Sequence, residues 1–263
     1  MTTLMVRAGL TGLFCAAFAF GIDWLTDMLA QDYRLIVVDR PGCGYSERDG
    51  DAQAAPAEQA RMIWALLDKL GVSQPVLVGH SLGGAVSLEM AVARTGAAGA
   101  LALLAPATHP IDAPADAFKG LDIRLPLLRR IVAHTVAVPL AKKTADKVLT
   151  QIFAPEPYPD DFVIRGGGAL GLRPRAFIAT SGDFLAAGPG LEALSPRYAQ
   201  HLRTPGGILF GAGDAVIPPE KQGRPMEEFG LRLETLPGRG HMLPITAPAE
   251  CADFIRRMAA LAR

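Results

Sequence analysis

The sequence predicts an α/β fold, a mainly parallel sheet with helices on both faces, and three observations carry that prediction. Short apolar runs rich in β-branched residues alternate with segments of helical periodicity. The alternation is interrupted between Leu104 and Gly206 by a stretch that reads as helical throughout. Half of the 263 residues (50%) are hydrophobic at a formal net charge of zero. Strands buried on both faces need that apolar surplus, and steady strand–helix alternation makes βαβ units.

The elements follow in order. Leu4-Met5-Val6-Arg7 reads as a strand, and the loop Ala8-Gly9-Leu10-Thr11-Gly12 follows it. Trp24, Leu25, Met28 and Leu29 form a helical face within Asp23 to Ala30. Leu35 to Val38 is a β-branched strand ending in the turn Asp39-Arg40-Pro41-Gly42. Met62, Ile63, Leu66, Leu67 and Leu70 give Glu58 to Leu70 helical spacing, stopped by Gly71. Pro75 to Val78 is the next strand, then Gly79-His80-Ser81-Leu82-Gly83-Gly84 and a helix to about Arg94. Ala100 to Leu104, Gly207 to Phe210 and Leu231 to Leu236 complete the strands. A helix near Glu220 to Phe229 separates the last two, and Pro248 opens a final helix to about Leu261.

Between these core parts lie Pro-bounded helical pieces at about 126–152, 160–170 and 174–186, and the loop Pro155-Glu156-Pro157-Tyr158-Pro159. A helical insertion in a parallel sheet reads as a cap. The expected organisation is therefore core over 1–105, cap over 106–205 and core again over 206–263.

Composition excludes several function classes. Disorder needs low hydrophobicity and high net charge, and a nucleic-acid binder shows a basic excess; neither is present. A small or apolar ligand is the expected partner. Cys15, Cys43 and Cys251 are scattered without CxxC spacing, which argues for free thiols rather than disulfides or a zinc site. The apolar run Gly12 to Ile22, behind Arg7, resembles a secretory signal, with Ala17-Phe18-Ala19 as a cleavage site. It is too short to span a bilayer. The competing assignment, a retained strand and loop, is preferred, because the domain would lose that strand with the signal. A cytoplasmic chain is the expectation, with secretion the alternative. Oligomeric state is not legible.

Chemistry concentrates in three loops. Gly79-His80-Ser81-Leu82-Gly83 matches G-x-S-x-G between a strand and a helix, the context that lifts a serine hydroxyl clear of the backbone. A plain Gly-rich turn is the bland alternative; a phosphate loop would need the Walker lysine, which is missing. A serine nucleophile needs a base and an orienting acid. Of the five histidines, His241 follows the last strand, at the sheet edge where catalytic groups gather. His80 should point away from Ser81, while His109, His134 and His201 lie in or beside the cap. Asp214, after the strand ending at Phe210, emerges at the same edge; Asp183 and Asp112 follow no clear strand.

Together, Asp39 to Ser46, Gly79 to Gly84, Gly211 to Asp214 and Gly240-His241 resemble the α/β-hydrolase superfamily, of the capped lipase, esterase and C–C hydrolase type. The chain order Ser81, Asp214, His241 is the order of that fold. The resemblance implies a serine hydrolase working through an acyl-enzyme without metal or organic cofactor. Leu82 and Leu10 would supply oxyanion N–H groups, and Gly9, Ile217 and Met242 would contact substrate. Serine at position 81 sets it apart from the epoxide hydrolase and dehalogenase branches, which use aspartate there. Two features depart from the pattern: Ala8 stands where a histidine usually precedes Gly9, and two leading strands have no counterpart before Leu4. Phe153, Phe162, Phe177 and Phe184 are candidates for an apolar pocket, with packing of cap onto core expected for most of them. The expected substrate is a carboxylic ester of small to medium apolar groups. A C–C, lactone or amide hydrolase with the same residues, or a ligand-binding protein on this fold, are the alternatives.

Overall fold

The computed structural model describes residues 3–5, 23–111, 116–165 and 168–262. Six parallel strands form one sheet: β1 (Thr3–Met5), β2 (Arg34–Ile36), β3 (Val76–His80), β4 (Ala100–Leu104), β5 (Gly206–Gly211) and β6 (Leu231–Leu236), ordered β2-β1-β3-β4-β5-β6. β1 lies inside the sheet, pairing Leu4 with Leu35 on one side and with Val76 on the other. The central register sets Gly79 beside Leu103 and His80 beside Leu104.

Both faces are covered, and strand residues alternate between them. Leu77, Leu101, Leu103, Ile208 and Phe210 join a core with α2 (Pro56–Lys69) and α3 (Leu82–Ala93). Val76, Ala100, Ala102, Leu104 and Leu209 join the opposite core with α1 (Asp23–Ala30) and the C-terminal helix (Pro248–Ala259). This period-two division is what buries both faces of a parallel sheet. Helix α3 is buried from Leu82 to Val92. Its sequence accordingly lacks a polar stripe.

The interval from β4 to β5 contains no strand among the described residues. It carries α4 (Pro126–Thr135), α5 (Ala137–Phe153), two single-turn helices (Phe162–Arg165 and Gly168–Gly171) and α6 (Pro174–Leu194). The C-terminal helix (Pro248–Ala259) is α7.

Several boundaries differ from the sequence expectation. The helix expected over 126–152 is two helices meeting at Val136. α6 continues past 186, through Pro189 to Leu194. Leu191 and Leu194 are almost wholly buried, so packing outweighs the one backbone hydrogen bond that a proline removes. The helix expected near 220–229 is a short turn over Pro219–Gln222 followed by a 3-10 turn over Arg224–Phe229. Strand β3 extends into the motif, to His80, because the ladder with β4 continues to Leu104.

A buried ion network ties α6 to the turn after β2. The carboxylate of Asp183, fully buried, accepts from Arg40 Nη1 at 2.7 Å and also pairs with Arg48. Arg40 further donates to Gln59 at 2.7 Å, on α2. Cys43 and Cys251 are buried, and burial pushes the Cys251 thiol well above its usual range. Cys15, Asp112 and the signal-like run fall outside the described residues. No helix among the described residues is long and apolar enough to cross a membrane.

Candidate active site

Ser81 occupies the turn between β3 and α3 with φ 53° and ψ −124°. A non-glycine residue there is strained by about 1–3 kcal/mol, and neighbouring backbone must hold it. It does: Ser81 N donates to Leu104 O at 3.2 Å, while Ser81 O accepts from Gly84 N at 2.8 Å and Ala107 N at 3.0 Å. The flanking glycines answer to close approach. A Cβ on Gly79 would stand 2.3 Å from Gly83 O, and one on Gly84 would stand 2.3 Å from the Pro106 ring. Small residues at both positions let strand and helix meet at the angle that presents the hydroxyl.

His241 follows β6 and is fully buried. Its Nε2 lies 3.1 Å from Ser81 Oγ and its Nδ1 lies 2.7 Å from Asp214 Oδ2. The other carboxylate oxygen of Asp214 accepts the backbone N–H groups of Val216 and Ile217 at 2.9 and 3.0 Å. The carboxylate is thereby fixed by backbone on one oxygen and presents the second to the imidazole. A hydroxyl, an imidazole and a carboxylate in this sequence of contacts have the geometry that a nucleophile, its base and an orienting acid require.

Two neighbours hold the His241 loop, and sequence reasoning found neither role. His80 Nε2 bonds the His241 carbonyl at 2.8 Å. Glu156 accepts Gly240 N at 2.8 Å and Arg239 Nη1 at 2.9 Å. A glutamate in a Pro-rich loop carries no local signal of that contact, which joins positions 84 residues apart in the chain. Asp183 serves the arginine network, not His241. Half-burial holds the His109 imidazole below the usual histidine range, and the ring contacts Thr108 rather than the Ser81 loop.

A cavity of about 240 Å³ opens over Ser81. Ala107, Val216 and Ile217 line it from the core loops, and Phe118, Leu121, Phe184 and Leu191 from the helical interval. Ser81 supplies the polar side chain of this described wall. Ile217 is therefore at the cavity. Met242 is not, and its assignment to substrate contact is corrected: it is fully buried in the core on the α1–α7 side of the sheet. Of the four phenylalanines, Phe184 faces this cavity, Phe153 and Phe162 are core, and Phe177 lines a separate cleft. Leu82 opens α3, where first-turn N–H groups have no acceptor within the helix. Gly9 and Leu10 fall outside the described residues. Among the described residues no group of three or more His, Cys, Asp or Glu is arranged to hold a metal ion.

A six-stranded parallel sheet with a serine at the strand–helix turn and Asp–His partners on later strand ends defines the architecture of an α/β hydrolase. The sequence matches the model of the alpha/beta hydrolase family over residues 10–254, and the chain belongs to that family. It is 25% identical over 250 residues to the uncharacterized hydrolase YugF of Bacillus subtilis (strain 168), covering 93% of this chain and 88% of that protein. It is 34% identical over 111 residues to the 2-hydroxymuconate semialdehyde hydrolase of Pseudomonas sp. (strain CF600), which is 40% of this chain and 38% of that protein. The fold is also that of a thermophilic esterase from Thermogutta terrifontis, with TM-score 0.71 and 22% identity over 100% of this chain and 92% of the other.

Proposed function

We propose that the chain is a serine hydrolase that cleaves carboxylic esters of small to medium apolar substrates through an acyl-enzyme. The observation that carries this is the unbroken series of contacts from Asp214 through His241 to Ser81 Oγ at the floor of an apolar cavity. Ser81 Oγ attacks the ester carbonyl carbon as His241 Nε2 takes its proton. Asp214 holds the proton on Nδ1 and stabilises the imidazolium that forms. The tetrahedral oxyanion accepts from the backbone N–H of Leu82, with Leu10 the proposed second donor; each donor contributes about 3 kcal/mol in the transition state. His241 then protonates the leaving alcohol, and water, deprotonated by the same imidazole, releases the acid. No metal or organic cofactor enters these steps. Residues 106–205 act as a cap that closes the apolar cavity over Ser81.

An uncharged substrate is favoured by the cavity wall, whose described lining residues carry no charge. The 2-hydroxymuconate skeleton in the Pseudomonas relative's name contains a carboxylate, which a wall of this kind leaves unpaired. A panel of p-nitrophenyl esters, lactones and meta-cleavage dienoates separates these substrate classes. Turnover is expected on short neutral esters, and Ser81→Ala is expected to lower it by several orders of magnitude with the fold retained. Turnover confined to the dienoates would overturn the ester assignment, and unchanged hydrolysis by Ser81→Ala would overturn the nucleophile.

A further inference from the structure

Helix α4 is amphipathic in the inverted sense. Its buried residues are Arg129 and Ala133, and Arg129 reaches Asp51 at 2.9 Å. Its outward residues Leu127, Leu128 and Ile131 are 72%, 47% and 52% exposed. Their spacing places them on one helical face. Leu125 before the helix, at 67%, and Val136 and Leu140 after it, at 55% and 57%, add to the exposed aliphatic surface. Single exposed leucines are ordinary on a soluble protein; a cluster of large aliphatics on adjoining helices is the mark of an interaction surface.

The charge around it is one-sided. Residues 116–153 hold seven Lys or Arg against three Asp and no Glu, in a chain whose formal net charge is zero; of the seven, Arg129 is buried against Asp51 and the other six remain for the surface. Arg124, Arg130, Lys142, Lys143 and Lys147 are all exposed. Beneath the aliphatic surface, a second apolar cleft of about 270 Å³ runs between α4 and α5, lined by Val132, Val136 and Leu140 and reaching Leu121. Leu121 also lines the cavity over Ser81. Leu121 is thus a wall shared by this cleft and the Ser81 cavity.

We propose that the α4–α5 face docks the protein on the surface of an anionic phospholipid bilayer. The leucines and Ile131 enter the acyl boundary, while the lysines and arginines meet the headgroups. An apolar helix face flanked by cations is the pattern that binds in the plane of such an interface. A second copy is the poorer occupant, since a two-fold contact through this face would bring its cation clusters together. No helix among the described residues is long and apolar enough to cross the bilayer, so the contact is interfacial. The proposal does not depend on the ester-hydrolase assignment.

Cosedimentation with vesicles tests it. The full chain is expected to pellet with phosphatidylglycerol–phosphatidylcholine vesicles, to bind pure phosphatidylcholine at least about tenfold more weakly, and to be released by high salt. Leu127→Glu with Leu128→Glu, and separately Lys142→Glu with Lys143→Glu, should each weaken binding roughly tenfold or more while thermal unfolding stays unchanged. These positions are exposed, so the variants fold as the parent does. Absence of binding to the anionic vesicles, or binding that neither double variant weakens, would overturn the proposal. So would a dimer in solution that Leu127→Glu dissociates, which would assign the face to a second copy.

Discussion

Ser81, Asp214 and His241 are far apart in the chain and within hydrogen-bond reach in the fold, because each sits just beyond the carboxyl end of a parallel strand. That rule made all three legible, since a strand can be recognised from its apolar run and the residue after it then has a place. Met242 shows where such legibility stops. It adjoins His241 in sequence, but its side chain turns into the core, and no periodicity in a loop reports direction. Asp214→Asn keeps the shape of the contact but cannot hold the required tautomer of His241. We expect ester turnover to fall about 10³–10⁴-fold with thermal stability nearly unchanged; a fall of less than tenfold would separate Asp214 from the chemistry. A second expectation concerns Cys251, whose burial disfavours the thiolate. Iodoacetamide should leave it unmodified in the native protein and modify it only on unfolding, as read by peptide mass; rapid native labelling would contradict its place in the core.

At the scale of elements, the strand–helix turn depends on how closely α3 and the loop after β4 approach. The nearest heavy atoms to a Cβ on Gly84 would be Pro106 Cβ at 2.3 Å and Pro106 Cα at 2.8 Å, a rigid ring and its backbone that cannot simply move aside. Gly84→Ala is therefore expected to destabilise by about 1–3 kcal/mol. It should also lower turnover, because α3 carries the Leu82 N–H; a urea midpoint equal to the parent's would show that the contact is not tight. The elements of the core were readable from their periodicity, and β4 and β6 were bounded correctly to the residue. The helical interval was less readable. Pro189 carried a local signal to stop α6, and burial of Leu191 and Leu194 overrode it. The break at Val136 has a signal in Pro139, three residues on: it has no N–H to continue α4 and falls in the first turn of α5, where that N–H is not needed.

Across the whole molecule, the helical interval is joined to the core by charge as well as by apolar packing. Asp183 on α6 meets Arg40 over a separation of 143 residues, and both side chains are fully buried. No sequence pattern links such positions, so the pair carries no signal before the fold brings the two side chains together, and by sequence alone Asp183 offers only a possible acid for His241. Asp183→Asn leaves two buried guanidinium groups without their carboxylate. The expected loss is about 3–5 kcal/mol, visible as a lower thermal midpoint, whereas an unchanged midpoint would mean that the arginines find water instead. Zero net charge and an apolar composition point to a small or apolar ligand. The cavity over Ser81 is lined largely by apolar side chains, while the balanced total conceals the basic surface on α4 and α5.

The central claim is that His241 activates the hydroxyl of Ser81, and covalent labelling by an alkyl fluorophosphonate, read by intact mass, tests it most directly. One adduct should form on the parent chain and map to the peptide containing Gly79 to Gly84, with none on Ser81→Ala and much slower labelling of His241→Ala. A parent chain that stays unlabelled, or that is labelled at another residue, would contradict it.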